Sequence, residues 1–293
     1  MKFTPLTKED APALGAVLEQ YGAKFCDDTF LLLYMWGEVY VTDYARVGEL
    51  WLLRSTDPTG EFYYYTIPHR GEDFLRGLAL LEAEAPGKIL LWALDEETCA
   101  QVKARYGEGV TVSSRPEESD YLYEIADLAE MRGRALAAKR NHINAFLREQ
   151  SDWRYEPITA ENLPAVQAFY RDFQMTEQDE SETAQDEGEA AWRLVDDFLT
   201  LPAEGGVLYA GGRIVGFFIG EVVGEVLFLH VEKALRDVRG AYPMLVRETA
   251  KRYLGRARYE NREEDDGDEG LRRSKRSYAP CAILEKYTAA LSL

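Results

Sequence analysis

Two ionisable residues stand two apart near the end of an apolar run. In Val226 to Leu245, VLFLHVEKALRDVRGAYPML, the chain reads as a nearly continuous hydrophobic stretch containing His230 and Glu232. Such a run marks a strand buried on both faces. Alternate side chains of a strand share a face, so Val226, Phe228, His230 and Glu232 are expected to point the same way. An imidazole beside a carboxylate forms a general base with its orienting group. A core histidine satisfied by a neighbouring acid has the same spacing, so the pattern alone leaves both readings open. The run then breaks into charge before Gly240 and resumes at helical spacing. A helix beginning there would present unpaired N–H groups to an anion, with Lys233 or Arg239 assisting and Tyr242 in its first turn.

A second cluster follows at Asn261-Arg262-Glu263-Glu264-Asp265-Asp266-Gly267. Alternation puts Asn261 and Glu263 on one face and Arg262 on the other. Arg272, Lys275 and Tyr278 bring two cations and a phenol back toward the same end; the phenol could protonate a leaving group or pack against Pro280. A third source of charge is the helix expected over Gly133 to Gln150. On its helical wheel Leu136, Ile143, Phe146 and Leu147 share a face with Lys139, while Arg140, Asn144 and Arg148 form a polar stripe beside it. A lysine on an apolar stripe either snorkels to water or belongs to a site.

The elements that must position these groups repeat. In the first half a strand and helices precede an antiparallel meander over Tyr40 to Pro68. A helix at Gly71–Ala85, a strand at Lys88–Leu94, a helix at Glu96–Tyr106 and an aromatic strand at Asp120–Tyr123 complete it. The second half has a strand at Trp153–Ile158, helices at Thr159–Phe173 and Ala190–Thr200, and three strands within Gly206–Lys233. It ends with a helix at Ala241–Leu254, a strand at Arg258–Asn261, a short helix at Leu271–Lys275 and a strand at Ala282–Tyr287. The acidic run Thr176 to Glu189 is expected to be a solvated loop without function. This order, β-α-α-β-β-β-α-β-α-β taken twice, is that of the GNAT acyltransferase fold. The expectation is α+β, two tandem GNAT-like domains, each a mixed, mainly antiparallel sheet flanked by helices. Residues 1–128 would form the first domain, 129–152 a connecting helix that contributes to the site, and 153–293 the second, carrying the active site.

Composition narrows the classes. The 293 residues, 46% of them hydrophobic, suffice for two cores. Cys26, Cys99 and Cys281 are odd in number and far apart, which argues against a disulfide framework or a metal site and for a reducing, cytoplasmic setting. The longest apolar run, Phe30 to Trp36, is too short to span a bilayer. Only two other histidines exist, His69 and His142, so alternatives for the role of His230 are few. A net charge of −18 repels polyanions over most of the surface, so a nucleic acid would need a local basic patch such as Arg132 to Arg154 or Leu271 to Arg276.

Long strings carry a resemblance. DYLYEIADLAEMRGRALAAKRNHINAF, HVEKA followed by RGAY, and NREEDDGDEGLRRSKRSYAP followed by EKY resemble a bacterial domain family of uncharacterised function related to the C-terminal domain of phosphatidylglycerol lysyltransferases. The resemblance covers nearly the whole chain. It implies the tandem GNAT-like architecture and transfer of an aminoacyl group, with aminoacyl-tRNA as donor, to a small-molecule, peptide or lipid-head-group amine or hydroxyl. Lys139, Arg140, Asn141, Asn144, His230, Glu232, Lys233, Arg239, Tyr242, Asn261, Arg262, Glu263, Asp265, Arg272, Lys275 and Tyr278 lie in the matching strings, which do not assign their roles. The GNAT pyrophosphate loop is not matched: Arg236 is four residues before Gly240 and Tyr242 fills the final small position. Acyl-CoA is thereby demoted as a donor, leaving an acyl-CoA-dependent N-acyltransferase or a non-catalytic ligand-binding module as alternatives.

Overall fold

The computed structural model describes residues 1–68, 71–84, 87–177 and 182–292. His69 and Ala85, at the end of one expected helix, lie outside them, as do residues 178–181 of the acidic run. In chain order the strands and helices begin with β1 (Thr4–Pro5), α1 (Ala11–Tyr21), α2 (Phe30–Met35), β2 (Val41–Val47), β3 (Leu50–Thr56) and β4 (Phe62–Ile67). Next come α3 (Gly71–Glu84), β5 (Lys88–Leu94), α4 (Glu96–Tyr106), β6 (Val110–Ser114), β7 (Asp120–Glu124), α5 (Ile125–Glu130), α6 (Ala137–Glu149) and β8 (Arg154–Pro157). Then follow α7 (Leu163–Glu177), α8 (Glu182–Asp197), β9 (Glu204–Ala210), β10 (Arg213–Val223) and β11 (Val226–Ala234). The chain closes with α9 (Ala241–Tyr253), β12 (Tyr259–Asn261), α10 (Glu269–Arg276), β13 (Ala282–Leu284) and β14 (Tyr287–Ser292). None of the described helices is long and apolar enough to cross a membrane.

Two mixed seven-stranded sheets result, ordered β1-β2-β3-β4-β5-β14-β6 and β13-β7-β12-β11-β10-β9-β8. The compact units built on them are discontinuous in sequence: residues 1–120, 264–267 and 283–293 form one, residues 121–263 and 268–282 the other. The sequence reading drew two consecutive blocks instead. The expected strand over Ala282–Tyr287 is in fact two strands, and β14 pairs antiparallel with both β5 and β6 of the first unit. Its alternating Ala289 and Leu291 complete that unit's core with Leu52, Phe74, Leu78 and Leu91.

Within the first unit a buried ion cluster ties its three chain segments together. Lys286 is 2% exposed, and its ammonium reaches Asp27 Oδ2 at 2.7 Å, Asp120 Oδ1 at 2.8 Å and Glu264 Oε2 at 3.4 Å. Cys26, fully buried, donates its thiol to Asp120 and Glu264 and lies 3.2 Å from Lys286 Nζ. Asp27 also accepts from Trp92 Nε1 at 2.7 Å. Burial alone would lower the lysine pKa; the surrounding carboxylates more than offset this and hold it well above the ordinary value.

In the second unit α9 lies on one face of the sheet, with Met244, Leu245, Val246 and Ala250 packed among Leu208, Val215, Phe218, Leu227, Leu229 and the α6 residues Ile143 and Phe146. The opposite face takes α7, whose Phe169 and Tyr170 meet Phe217 edge-on. The acidic run is largely helical, against the loop expectation. It forms the end of α7 and the start of α8, which buries Ala190, Ala191, Leu194 and Val195. Acids in a first helical turn suit the macrodipole, and Glu187 is fixed by Lys233 Nζ at 2.6 Å.

Removing one member of a buried ion cluster strands the others, at a cost of about 3–5 kcal/mol. Lys286→Met should therefore lower unfolding free energy by about that amount in urea titration, and Asp120→Asn by less, since two carboxylates remain. A Lys286→Met protein as stable as the parent would remove the cluster as the tie of this unit.

Candidate functional site

β11 pairs parallel with β12 at Val226↔Tyr259, Leu227↔Glu260 and Phe228↔Asn261. β12 ends there, whereas β11 continues to Ala234 alongside β10. The two strands are joined at one end and unpaired beyond it, and the candidate site residues stand where the ladder stops.

A bulge decides which face each side chain takes. In the β10–β11 ladder Ile219 pairs with Val231 and Gly220 with Leu229, so His230 is an extra residue on β11. Gly220 permits it, because a Cβ there would overlap the carbonyl oxygen of Phe228. Past the bulge the alternation is reversed. Glu232 pairs with Phe218, whose ring packs on Tyr253 of α9, so Glu232 faces α9. His230 instead joins Glu221, the partner of Phe228 on the opposite face. The expectation that His230 and Glu232 share a face is thus corrected, since one inserted residue inverts the period.

On the α7 side, His230 is clamped by Glu263 Oε1 at 2.7 Å from Nδ1 and Glu221 Oε1 at 3.1 Å from Nε2. Burial would lower its pKa, but the two carboxylate hydrogen bonds and their charges outweigh it and raise the value to about 9. At neutral pH the ring is an imidazolium donating from both nitrogens, which gives it no lone pair for general-base work. Its partner Glu263 sits at a left-handed φ of 57°, and its N–H donates to Asn261 Oδ1 at 2.8 Å. His230 therefore fixes the chain leaving β12.

On the α9 side, Arg262 forms an ion pair from Nη2 to Glu232 Oε2, and its Nε is 3.9 Å from Glu260 Oε1. Its guanidinium lies over the rings of Tyr278 at 4.8 Å and Tyr123 at 5.8 Å. Lys139 of α6 places its ammonium 3.8 Å from the same Tyr278 ring. Lys275 Nζ donates to Arg262 O at 2.6 Å, and Tyr123 Oη donates to Lys275 O at 2.8 Å, so α10 and β7 brace the arginine. Burial, then the repulsion of Arg262, lowers the Lys139 pKa to about 8, Glu232 opposing. Burial raises Glu260 to about 8 against the attraction of Arg262. Among the described residues Arg262 Nη1, Glu232 Oε1 and both carboxyl oxygens of Glu260 are buried without a hydrogen-bond partner. Leaving such groups bare is costly, so they are placed to bond water or a polar ligand.

Of the sequence candidates, the structure brings together Glu232, Lys139, Lys275 and Tyr278 around Arg262. His230, Glu263 and Asn261 stand behind them on the other face. Tyr242, the second residue of α9, is half-buried against the core. Lys233 is engaged with Glu187, and Arg239 pairs with Glu149 at 3.5 Å on the surface. Arg140 donates to the Met131 and Gly133 carbonyls, closing the end of α5. Asn144 is exposed, and Arg272 is half-buried on α10. The anion site expected at the start of α9 is not open: a Cβ on Gly240 would overlap the His142 carbonyl of α6, Ala241 N donates to Val238 O at 3.0 Å, and Pro243 has no N–H. Glu260 and Glu221 were missed. Glu221 is an acid inside the apolar strand RIVGFFIGEVV, which was the available signal, whereas Glu260 sits in the polar string RYEN, where nothing in the sequence sets it apart.

Comparison with known proteins adds the relatives. The family model described as phosphatidylglycerol lysyltransferase, C-terminal, matches residues 18–290. An uncharacterized protein of Mycoplasmoides gallisepticum is 25% identical over 231 residues, covering 76% of this chain and 72% of its own. A conserved protein of unknown function from Bacteroides thetaiotaomicron superposes with a TM-score of 0.91 at 30% identity over 100% of both chains. L-PGS from Bacillus licheniformis gives 0.64 at 13% identity, over 96% of this chain and 92% of that one. FemX gives 0.63 at 10% identity, over 99% and 97%. The last two are likenesses of fold, and with them the expected α+β class of two tandem GNAT-like units holds.

The His230 clamp predicts a signed pH dependence. Its folded pKa of about 9 lies above the ordinary 6.5, so its contribution to stability is complete below about pH 6.5 and fades as pH rises through about 9. The gap in melting temperature between the parent and His230→Gln should be widest near pH 6.5 and close above about pH 9. A gap that widens with pH would mean the ring is held neutral.

Proposed function

Because the chain belongs to the phosphatidylglycerol lysyltransferase C-terminal family, we propose that it moves an aminoacyl group from aminoacyl-tRNA to an acceptor amine or hydroxyl, using the α9 face of the diverging strands. The observation that carries the reading is the half-used Arg262–Glu232 pair, in which Arg262 Nη1 is a buried donor without a partner among the described residues. Acyl transfer develops negative charge on the carbonyl oxygen, and a fixed, water-poor donor aimed at that oxygen is worth more than one in solvent. Arg262 supplies that donor. Lys139, with its ammonium on the Tyr278 ring and no ion pair among the described residues, supplies a second positive charge. Tyr278 fixes the spacing of the two cations through its ring.

Three neighbouring candidates take supporting parts. Glu232, braced by Arg262, holds that guanidinium in one orientation, while His230 and Glu263 hold the backbone from which Arg262 projects. On α10, Arg273 and Arg276 are exposed and offer phosphate contacts, although the net charge of the chain is −18. The closed approach to Gly240 favours an aminoacyl ester over an acyl-CoA, whose pyrophosphate would need that turn.

Purified protein given tRNA charged with labelled amino acids should pass label to an acceptor in bacterial extract. Loss of one oxyanion donor costs about 100- to 1,000-fold in other acyl-transfer sites. Arg262→Lys should lower transfer by about that factor, and Lys139→Met should lower it while leaving the melting temperature near that of the parent. Transfer unaffected in both would move the site elsewhere. Micromolar CoA binding with no transfer from charged tRNA would replace this reading with an acyl-CoA enzyme.

A further inference from the structure

The open hydrogen-bonding atoms of the α9-face site are unequal in kind. One is a donor, Arg262 Nη1, and three are acceptors: Glu232 Oε1 and the two carboxyl oxygens of Glu260. Both carboxylates belong to one guanidinium, Glu232 through Nη2 and Glu260 3.9 Å from Nε, so the acceptors lie around a common centre. Glu260 is fully buried. It pairs with Tyr123 on β7 and Leu227 on β11, which turns it toward the α9 side with Arg262, two residues on. The donor is accounted for by the carbonyl oxygen of the aminoacyl ester. The three acceptors are not.

The acceptor's chemistry decides what can fill them. A hydroxyl brings one O–H and two lone pairs, so it would satisfy one carboxyl oxygen and leave two bare. A primary ammonium brings three N–H donors and no lone pair, and its charge offsets two acids.

We propose that Glu260 and Glu232 seat the primary amine of the acceptor, and that Glu260 takes the proton the amine must lose before it attacks. The inference rests on the aminoacyl-transfer reading and narrows it to amide formation. The step balances as follows. The ammonium gives one proton to Glu260, and its freed lone pair forms a C–N bond to the ester carbonyl carbon, whose oxygen takes the displaced electron pair and is held by Arg262. That pair returns as the C–O bond to the ribose breaks, the nitrogen passes a second proton to the departing ribose oxygen, and the proton on Glu260 leaves to solvent.

Glu260→Gln tests the seat, because the amide keeps the size of the fully buried side chain and cannot take a proton from the amine. The purified protein is given tRNA charged with labelled amino acids and a tRNA-free bacterial extract as the acceptor pool. The product, separated from tRNA, is treated with mild alkali. We expect the label to survive, as an amide does, n-butylamine to compete with transfer while 1-butanol does not, and Glu260→Gln to reduce transfer about 100-fold or more at unchanged melting temperature. Transfer that yields an alkali-labile ester would overturn the amine seat and leave the aminoacyl reading standing. Parental rates in Glu260→Gln would remove Glu260 from the step. No transfer from any charged tRNA would remove both readings.

Discussion

The end of the β11–β12 ladder is the constraint on which the second unit's chemistry depends. Parallel pairing stops at Phe228 and Asn261, yet β11 runs on for six residues, held by β10 on its other side. Two strands that part in this way expose backbone and open a gap in the sheet. Here the gap is stapled from both faces by consecutive residues of one short segment: Arg262 reaches Glu232 toward α9, and Glu263 reaches His230 toward α7. Neither staple alone fixes the segment, because a single pair leaves rotation about itself. Together they hold the Arg262 guanidinium in place at the mouth of the gap.

Buried charge has two different uses in the two units. Around Lys286 every nearby carboxyl is matched to an ammonium or thiol, and the cluster joins chain segments that lie far apart in sequence. Such an arrangement contributes structure, since losing one member costs far more than losing a surface pair, worth about 0–1 kcal/mol. Around Arg262 the matching is incomplete, with donor and acceptor atoms left over. The difference in saturation, at similar burial, is what separates a structural cluster from a receptive one. It also bears on two lysines that behave oppositely: the carboxylates of Asp120, Asp27 and Glu264 raise Lys286 against its burial, while half-buried Lys139 is lowered by burial and then by Arg262.

Much of this was legible in the sequence, and the failures have definite physical causes. Periodicity placed β5, α4, α9 and the β2–β4 meander to within a residue or two, because each is either strongly apolar or strongly amphipathic. β6 and β14 escaped because VTVSS and YTAALS are short, and their pairing with each other spans most of the chain. The acidic run was read from charge alone, while its Ala190 to Val195 continuation supplied the buried face that makes α8 a helix. The helical wheel picked out Lys139, strand alternation picked out His230 and Glu232, and the charged cluster after Asn261 led to Tyr278. The partners of the histidine were not readable, because they depend on a bulge.

That bulge sorts the site. Without the extra residue, His230 and Glu232 would share a face and form the imidazole–carboxylate pair that simple alternation implies. With it, the imidazole goes to the α7 side, where two carboxylates keep it charged, and Glu232 goes to the α9 side, where it meets Arg262. Gly220 is the residue that permits this, since any side chain at that position would collide with the backbone of Phe228. A single glycine on β10, contacting none of the reactive groups, thereby determines which residues can act together. The base sought in a histidine is proposed instead for Glu260, whose burial raises its carboxyl to about 8, into the range where protons are exchanged near neutral pH.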